Sequence, residues 1–234
     1  MSGARSDRVD RRAPALQAVL WDMDGLLVDS EPVWSVAELE LVQRLGGVWS
    51  DDLKTQIVGT RMEVSVPRIL RWHDVEPSAQ RVEETTAWLL ARMVKLFAAG
   101  LPAQPGAEEL LAELRNAGVP VALVSSSYRV LVDAVLAQGL GPFETTLAGD
   151  EVVCAKPHPE PYLTACARLR VDPGRCVVLE DSPTGAASGV AAGCAVVVVP
   201  SVPGTSVPTG ARTWLRDSLR GLGLGDLQAL ASIG

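Results

Sequence analysis

Four short apolar runs, each stopping at a polar or turn residue, constrain this chain more than any other feature. The first is Gln17-Ala18-Val19-Leu20-Trp21, which ends at Asp22. The second covers residues 119–124 and ends at Ser125-Ser126-Ser127. The third, Cys176-Val177-Val178-Leu179, ends at Glu180-Asp181, and the fourth, residues 195–199, ends at Pro200. Short unbroken apolar runs bounded in this way predict strands buried on both faces. Helical patterns at 108–117, 128–138, 161–169 and 184–192 alternate with them. Strands alternating with helices imply a parallel sheet with helices on its faces, a Rossmann-like doubly wound α/β core. In such sheets ligands bind beyond the carboxyl ends of the strands. Asp22, Ser125 and Asp181 are therefore expected to meet, although more than a hundred residues separate the first two.

The segment 31–101 reads differently. Helical patterns occupy 32–45, 50–58, 63–72 and 79–98, with no strand pattern among them. Ser50, followed by Asp51 and Asp52, and Ser78 are candidate helix caps. Gly100-Leu101-Pro102 and Pro105-Gly106 mark the return. The expected division is a disordered leader at 1–13, a core domain at 14–30 and 102–234, and a small helical cap domain at 31–101 inserted after the first strand. The leader carries Arg5, Arg8, Arg11 and Arg12 but no apolar stretch of a signal peptide. Asp7 and Asp10 argue against an Arg-rich presequence. Residues 201–210, rich in Ser, Pro, Gly and Thr, predict a surface loop. Residues 215–230 predict short elements of no fixed place.

Charge and cysteine usage narrow the function classes. Against 28 acidic residues stand 21 basic ones, a net charge of −7, which disfavours a nucleic-acid partner. No apolar run approaches the roughly 20 residues that cross a bilayer. The four cysteines, Cys154, Cys166, Cys176 and Cys194, form no CxxC pair and read as reduced, mostly buried thiols of a cytoplasmic protein.

Four constellations carry chemistry. In Asp22-Met23-Asp24-Gly25, two carboxylates lie two apart just past a strand. Carboxylates supply the hard oxygen ligands that Mg²⁺ prefers. One can attack phosphorus as a nucleophile; the other can protonate the leaving oxygen and later deprotonate water. An isolated pair of this kind is more often a plain acidic turn. Ser125 and Ser126 suit an anion cradle, or a cap for the helix from Tyr128; both readings hold if Ser127 caps and Ser125 binds. Lys156-Pro157-His158-Pro159 presents a fixed positive charge for a phosphate oxygen, or a solvated lysine in a turn. Its flanking prolines give His158 a structural role rather than a chemical one. Glu180 and Asp181 end a strand where they complete a metal site, or complement the dipole of the helix that Pro183 opens.

In this order, all at strand ends, the four resemble the motifs of the haloacid dehalogenase superfamily, over nearly the whole chain from Gln17. The insertion after the first motif is similar to the branch with a small helical cap, which includes β-phosphoglucomutase and many sugar-phosphate phosphatases. The stretch from Trp21 to Pro32 looks most like the bacterial hexitol and 2-deoxyglucose-6-phosphate phosphatases, and Lys156-Pro157-His158-Pro159 fits the same group. The resemblance implies Mg²⁺ as cofactor. It implies Asp22 as nucleophile and metal ligand, and Asp24 as general acid/base that also offers its backbone carbonyl to the metal. Ser125, Ser126 and Lys156 hold the phosphoryl group, and Asp181 and Glu180 are further metal ligands. The substrate is a small phosphate ester, a sugar or polyol phosphate, and the state is a monomer or weak homodimer. Arg61, in Gly59-Thr60-Arg61, is the cap residue expected to reach the substrate. A phosphomutase through the same aspartyl-phosphate is the alternative, but mutase-type members carry a histidine near the position of Trp34. A catalytically silent binding protein on the same fold is the second alternative. A receiver domain, at about 120 residues, lacks the insertion.

Overall fold

The computed structural model of the chain describes residues 16–57, 60–202 and 206–233. The expected leader at 1–13 and Gly59 lie outside these residues. Six parallel strands form one sheet in the order β3-β2-β1-β4-β5-β6. The four apolar runs become β1 (Ala18–Trp21), β2 (Val121–Val124), β4 (Cys176–Glu180) and β5 (Ala195–Val198). All four are buried throughout, because helices cover both faces. Val19, Trp21, Val121, Leu123, Val177 and Leu179 pack to one side of the sheet, while Ala18, Leu20, Ala122, Val124 and Val178 pack to the other. Period-two alternation thus fills two cores at once.

The edges are β3 (Thr145–Leu147) and β6 (Thr213–Leu215). On one face lie α5 (Ala107–Asn116), α6 (Arg129–Leu136) and α9 (Leu224–Ala231). On the other lie α7 (Glu160–Leu169) and α8 (Pro183–Ala191). The chain builds outward from β1 through β2 to β3, then crosses to β4 on the opposite side of β1. That reversal puts the carboxyl ends of β1, β2 and β4 side by side, where a ligand crevice forms.

Between β1 and α5 stand four helices: α1 (Glu31–Arg44), α2 (Asp51–Ile57), α3 (Met62–Trp72) and α4 (Ala79–Phe97). Ser78 caps α4 by accepting from the Arg81 N–H at 3.3 Å. Leu41, Leu53, Val66, Leu89, Met93 and Phe97 are buried among the four and join the core of the β1 face. The outgoing and returning strands of chain are paired: the Asp29 N–H donates to the Pro102 carbonyl and the Gln104 N–H to the Leu27 carbonyl, both at 2.9 Å. Among the described residues, no helix is long and apolar enough to cross a membrane. All four cysteines are free thiols, and three of them are buried.

Candidate active site

Backbone pairing carries each strand's register into the first residue beyond it. The Asp22 N–H donates to the Leu179 carbonyl at 3.0 Å, and the Ser125 N–H to the Leu147 carbonyl at 2.9 Å. After Asp22 the chain folds back, with the Gly25 N–H donating to the Val28 carbonyl at 2.9 Å. Gly25 has φ +82°, and a Cβ there would collide with the Asp181 carboxylate. Only glycine allows so close an approach in the left-handed region. The turn and the end of β4 are therefore fitted to each other.

Asp22, Glu180 and Asp181 each place a carboxylate oxygen within 4.8 Å of the other two. Lys156 Nζ reaches in from the segment before α7. It donates to Asp22 Oδ1 at 2.6 Å, to Glu180 Oε1 at 2.6 Å and to the Val124 carbonyl at 2.9 Å. Glu180 is fully buried and fully engaged. Its Oε1 also accepts from the Tyr162 hydroxyl at 2.7 Å, and its Oε2 accepts from the N–H groups of Asp181 and Ser182 and from the Ser182 hydroxyl. Burial works against the Glu180 charge, but Lys156 and these donors outweigh it and hold its pKa low. Burial likewise opposes the Lys156 charge, and the two carboxylates overcome it, raising its pKa. Lys156 is thus a fixed cation.

Asp22 and Asp181 are not balanced in the same way. Burial, with Glu180, Asp181 and Asp24 nearby, lifts Asp22 well above the carboxylate range against the pull of Lys156. Burial, then the Glu180 charge, pushes Asp181 up to about 8. Asp181 Oδ2 accepts from the Ser201 hydroxyl at 2.6 Å. Two buried carboxylates whose charge is opposed by burial and by their acidic neighbours suit a divalent cation, which would offset that cost with hard oxygen coordination. The residues fit a hard metal ion.

Asp24 faces a different set of partners. Its Oδ1 accepts from the Ser30 hydroxyl at 2.7 Å and from Trp34 Nε1 at 3.2 Å. Its Oδ2 accepts from Ser127 Oγ at 2.8 Å and Ser125 Oγ at 3.3 Å. Ser127 is therefore not a helix cap: α6 begins without one from its N-cap Tyr128, and Asp150 Oδ1 accepts the Arg129 N–H at 2.8 Å instead. Ser126 and Ser127 line the cavity above the carboxylates, whereas Ser125 is buried beneath it. Arg61, the N-cap of α3, lines the same cavity and donates to the Gly149 carbonyl across from the insertion. His158 is exposed, and its Nδ1 accepts from the Glu160 N–H at 3.2 Å; it does not line this cavity.

The sequence model of the haloacid dehalogenase-like hydrolases matches residues 16–193, a span holding every one of these side chains except Ser201. The chain belongs to that family. Among its haloacid dehalogenase-like relatives, hexitol phosphatase B of Escherichia coli (strain K12) is 33% identical over 188 residues, 79% of this chain and 83% of that protein. Protein CbbY of Rhodobacter capsulatus is 32% identical over 195 residues, 80% of this chain and 86% of that one. The crystal structure of CbbY (mutant D10N) from Rhodobacter sphaeroides in complex with xylulose-(1,5)bisphosphate superposes with a TM-score of 0.79 at 28% identity, covering 91% of this chain and 99% of that one.

Several residues that shape this haloacid dehalogenase-like site are invisible to motif reading. Ser201 and Tyr162 hold Asp181 and Glu180, yet nothing in their sequence surroundings sets them apart, and Ser30 lies in the stretch from Trp21 to Pro32 without any sign that it holds Asp24. Trp34 looks like helix core but lines the cavity and bonds Asp24, while Trp49 and Trp88 pack against the core and Trp72 is 41% exposed. Glu31 and Glu38 line the cavity from α1 and Lys54 from α2.

Proposed function

We propose that the chain is a Mg²⁺-dependent phosphatase that releases phosphate from a sugar or polyol phosphate through an aspartyl-phosphate on Asp22. The observation that carries the reading is the meeting of Asp22, Asp181 and the fixed Lys156 cation at the strand ends. The names of the relatives support it: a hexitol phosphatase, and a CbbY structure holding a sugar bisphosphate.

In this reading Asp22 and Asp181, with the backbone carbonyl of Asp24, hold the cation. The cation supplies Lewis-acid polarisation of the phosphoryl oxygens. Glu180 acts by holding Lys156 and by adding negative charge beneath the site. An Asp22 carboxylate oxygen forms a bond to phosphorus as the ester P–O bond breaks, and Asp24 gives its proton to the leaving alkoxide. Asp24 then takes a proton from water as that oxygen attacks the aspartyl-phosphate, returning inorganic phosphate and a free Asp22. Lys156 and the Ser126 and Ser127 edge face the phosphoryl oxygens, so positioning and charge neutralisation supply most of the catalysis. Residues 31–101 serve as the cap domain over a core of 14–30 and 102–234, and Arg61 ties the two by its bond to Gly149.

p-Nitrophenyl phosphate tests the chemistry without the cap's selectivity. Turnover is expected with Mg²⁺, to vanish in EDTA and to return when Mg²⁺ is restored. Full turnover in chelator would remove the metal from the account.

A further inference from the structure

The cavity is lined from two sides. From the core come Asp22, Asp181 and Lys156; from the insertion come Glu31 and Glu38 of α1 and Lys54 of α2. The whole encloses about 340 Å³, room for a phosphate and a short carbon chain. Glu38 is a carboxylate only 7% exposed within a helix whose other buried residues are apolar. Lys54 Nζ lies 2.8 Å from Glu38 Oε2 and 3.4 Å from Glu31 Oε2. Burial raises the Glu38 pKa, Lys54 pulls it back and Glu31 adds to the rise. A buried charge is costly unless it is paired and hydrogen-bonded, and among the described residues only the Oε2 of Glu38 receives a hydrogen bond, from Lys54.

Resting on the phosphatase reading, we propose that Glu38, oriented by Lys54, sets substrate choice by accepting hydrogen bonds from hydroxyl groups on the carbon chain remote from the phosphate. The same cluster rejects a second phosphoryl group there. Lys54 is shared between two carboxylates, so the insertion side is acceptor-rich, with two acids to one base. Hydroxyls bring the donors such acceptors need; a phosphate dianion brings none. Arg61, the other cation on the insertion's side, donates through Nη2 to the Gly149 carbonyl and has its Nε 3.6 Å from Glu63 Oε2, so part of its charge is already met away from Glu38. Across the whole lining, Asp22, Asp24, Glu31, Glu38 and Asp181 stand against Lys54, Arg61 and Lys156. The cations facing the metal side are Lys156 and the bound ion, so a second phosphate beside Glu31 and Glu38 would meet carboxylates with Lys54 already shared between them. A CbbY of the same fold holds xylulose-(1,5)bisphosphate, so a preference of this chain for monophosphates would rest on its side chains rather than on the fold.

The experiment measures kcat/KM with Mg²⁺ for glucitol 6-phosphate, glucitol 1,6-bisphosphate and p-nitrophenyl phosphate, in the native chain and in Glu38→Gln. The native chain is expected to favour the monophosphate over the bisphosphate by about tenfold or more, the scale of one lost charge-assisted hydrogen bond. Glu38→Gln is expected to lower kcat/KM for glucitol 6-phosphate, mainly through KM, about tenfold more than for p-nitrophenyl phosphate. Equal losses for those two substrates overturn the proposal, since a purely structural pair would give them. Equal rates on monophosphate and bisphosphate in the native chain also overturn it, and that comparison decides alone if the variant does not fold. Phosphate release from none of the three compounds overturns the phosphatase reading itself, and the inference with it.

Discussion

At the scale of single residues, charge decides what the site can be. Asp22, Asp181, Glu180 and Lys156 crowd into a space too acidic to hold all its carboxylates ionised. Glu38 repeats the problem in miniature, and its consequence is a pH dependence with a definite sign. Its pKa is raised from 4.5, so above that pH the folded state holds more proton than the unfolded state until Glu38 itself ionises. Its contribution to stability therefore falls as pH rises through that window. Lys54 limits the loss by lowering the folded pKa. In Lys54→Met the window extends upward. The variant is expected to match the native chain near pH 4.5 and to fall progressively behind it toward pH 8. The deficit in Tm is about 3 °C for each unit the pKa climbs, at about 1.4 kcal/mol per unit. Parallel curves of Tm against pH would show that Lys54 does nothing for Glu38.

At the scale of elements, the start of α8 shows how closely strand and helix are fitted. A Cβ on Gly185 would run into the Glu180 carboxylate, which holds Lys156 from below. Gly185→Ala is expected to fold with lowered Tm and to lose most of its turnover of p-nitrophenyl phosphate, because Glu180 must move and take Lys156 with it. Turnover within twofold of native would mean that Lys156 is held without Glu180. This fit is not legible in the sequence, where Gly185 reads as one small residue in a helix. Legibility follows burial. The strands β1, β2, β4 and β5 are readable because both faces are covered, so every side chain but Glu180 at the end of β4 is apolar. The edge strands β3 and β6 are three residues each and half exposed, so no run betrays them. The helices of the insertion were placed to within about two residues by their apolar spacing and by the Ser78 cap. Ser127 reads as a cap because a serine before a helix usually is one, and only the fold brings Asp24 to it. Glu31 reads as a hinge residue without chemistry, and Glu38 and Lys54 carry no signal, because a charged residue in a helix looks solvent-facing until a second layer covers it.

At the scale of the molecule, a doubly wound sheet supplies the convergence and a helical insertion supplies the enclosure. The sheet order puts β1 between β2 and β4, which brings Asp22 to Ser125 and Asp181 from opposite halves of the chain. The insertion leaves from that same turn and returns beside it, so any motion of the helices is felt at Asp24 through Ser30 and Trp34. Everything proposed for function requires that one cation and one phosphorus atom meet at Asp22. The most direct measurement is a crystal structure of the chain grown with Mg²⁺ and beryllium fluoride. The account predicts beryllium bonded to an Asp22 carboxylate oxygen, fluorines facing Lys156, and Mg²⁺ touching both Asp22 and Asp181. Beryllium fluoride absent from Asp22, or a metal ion bound without Asp181, would contradict it.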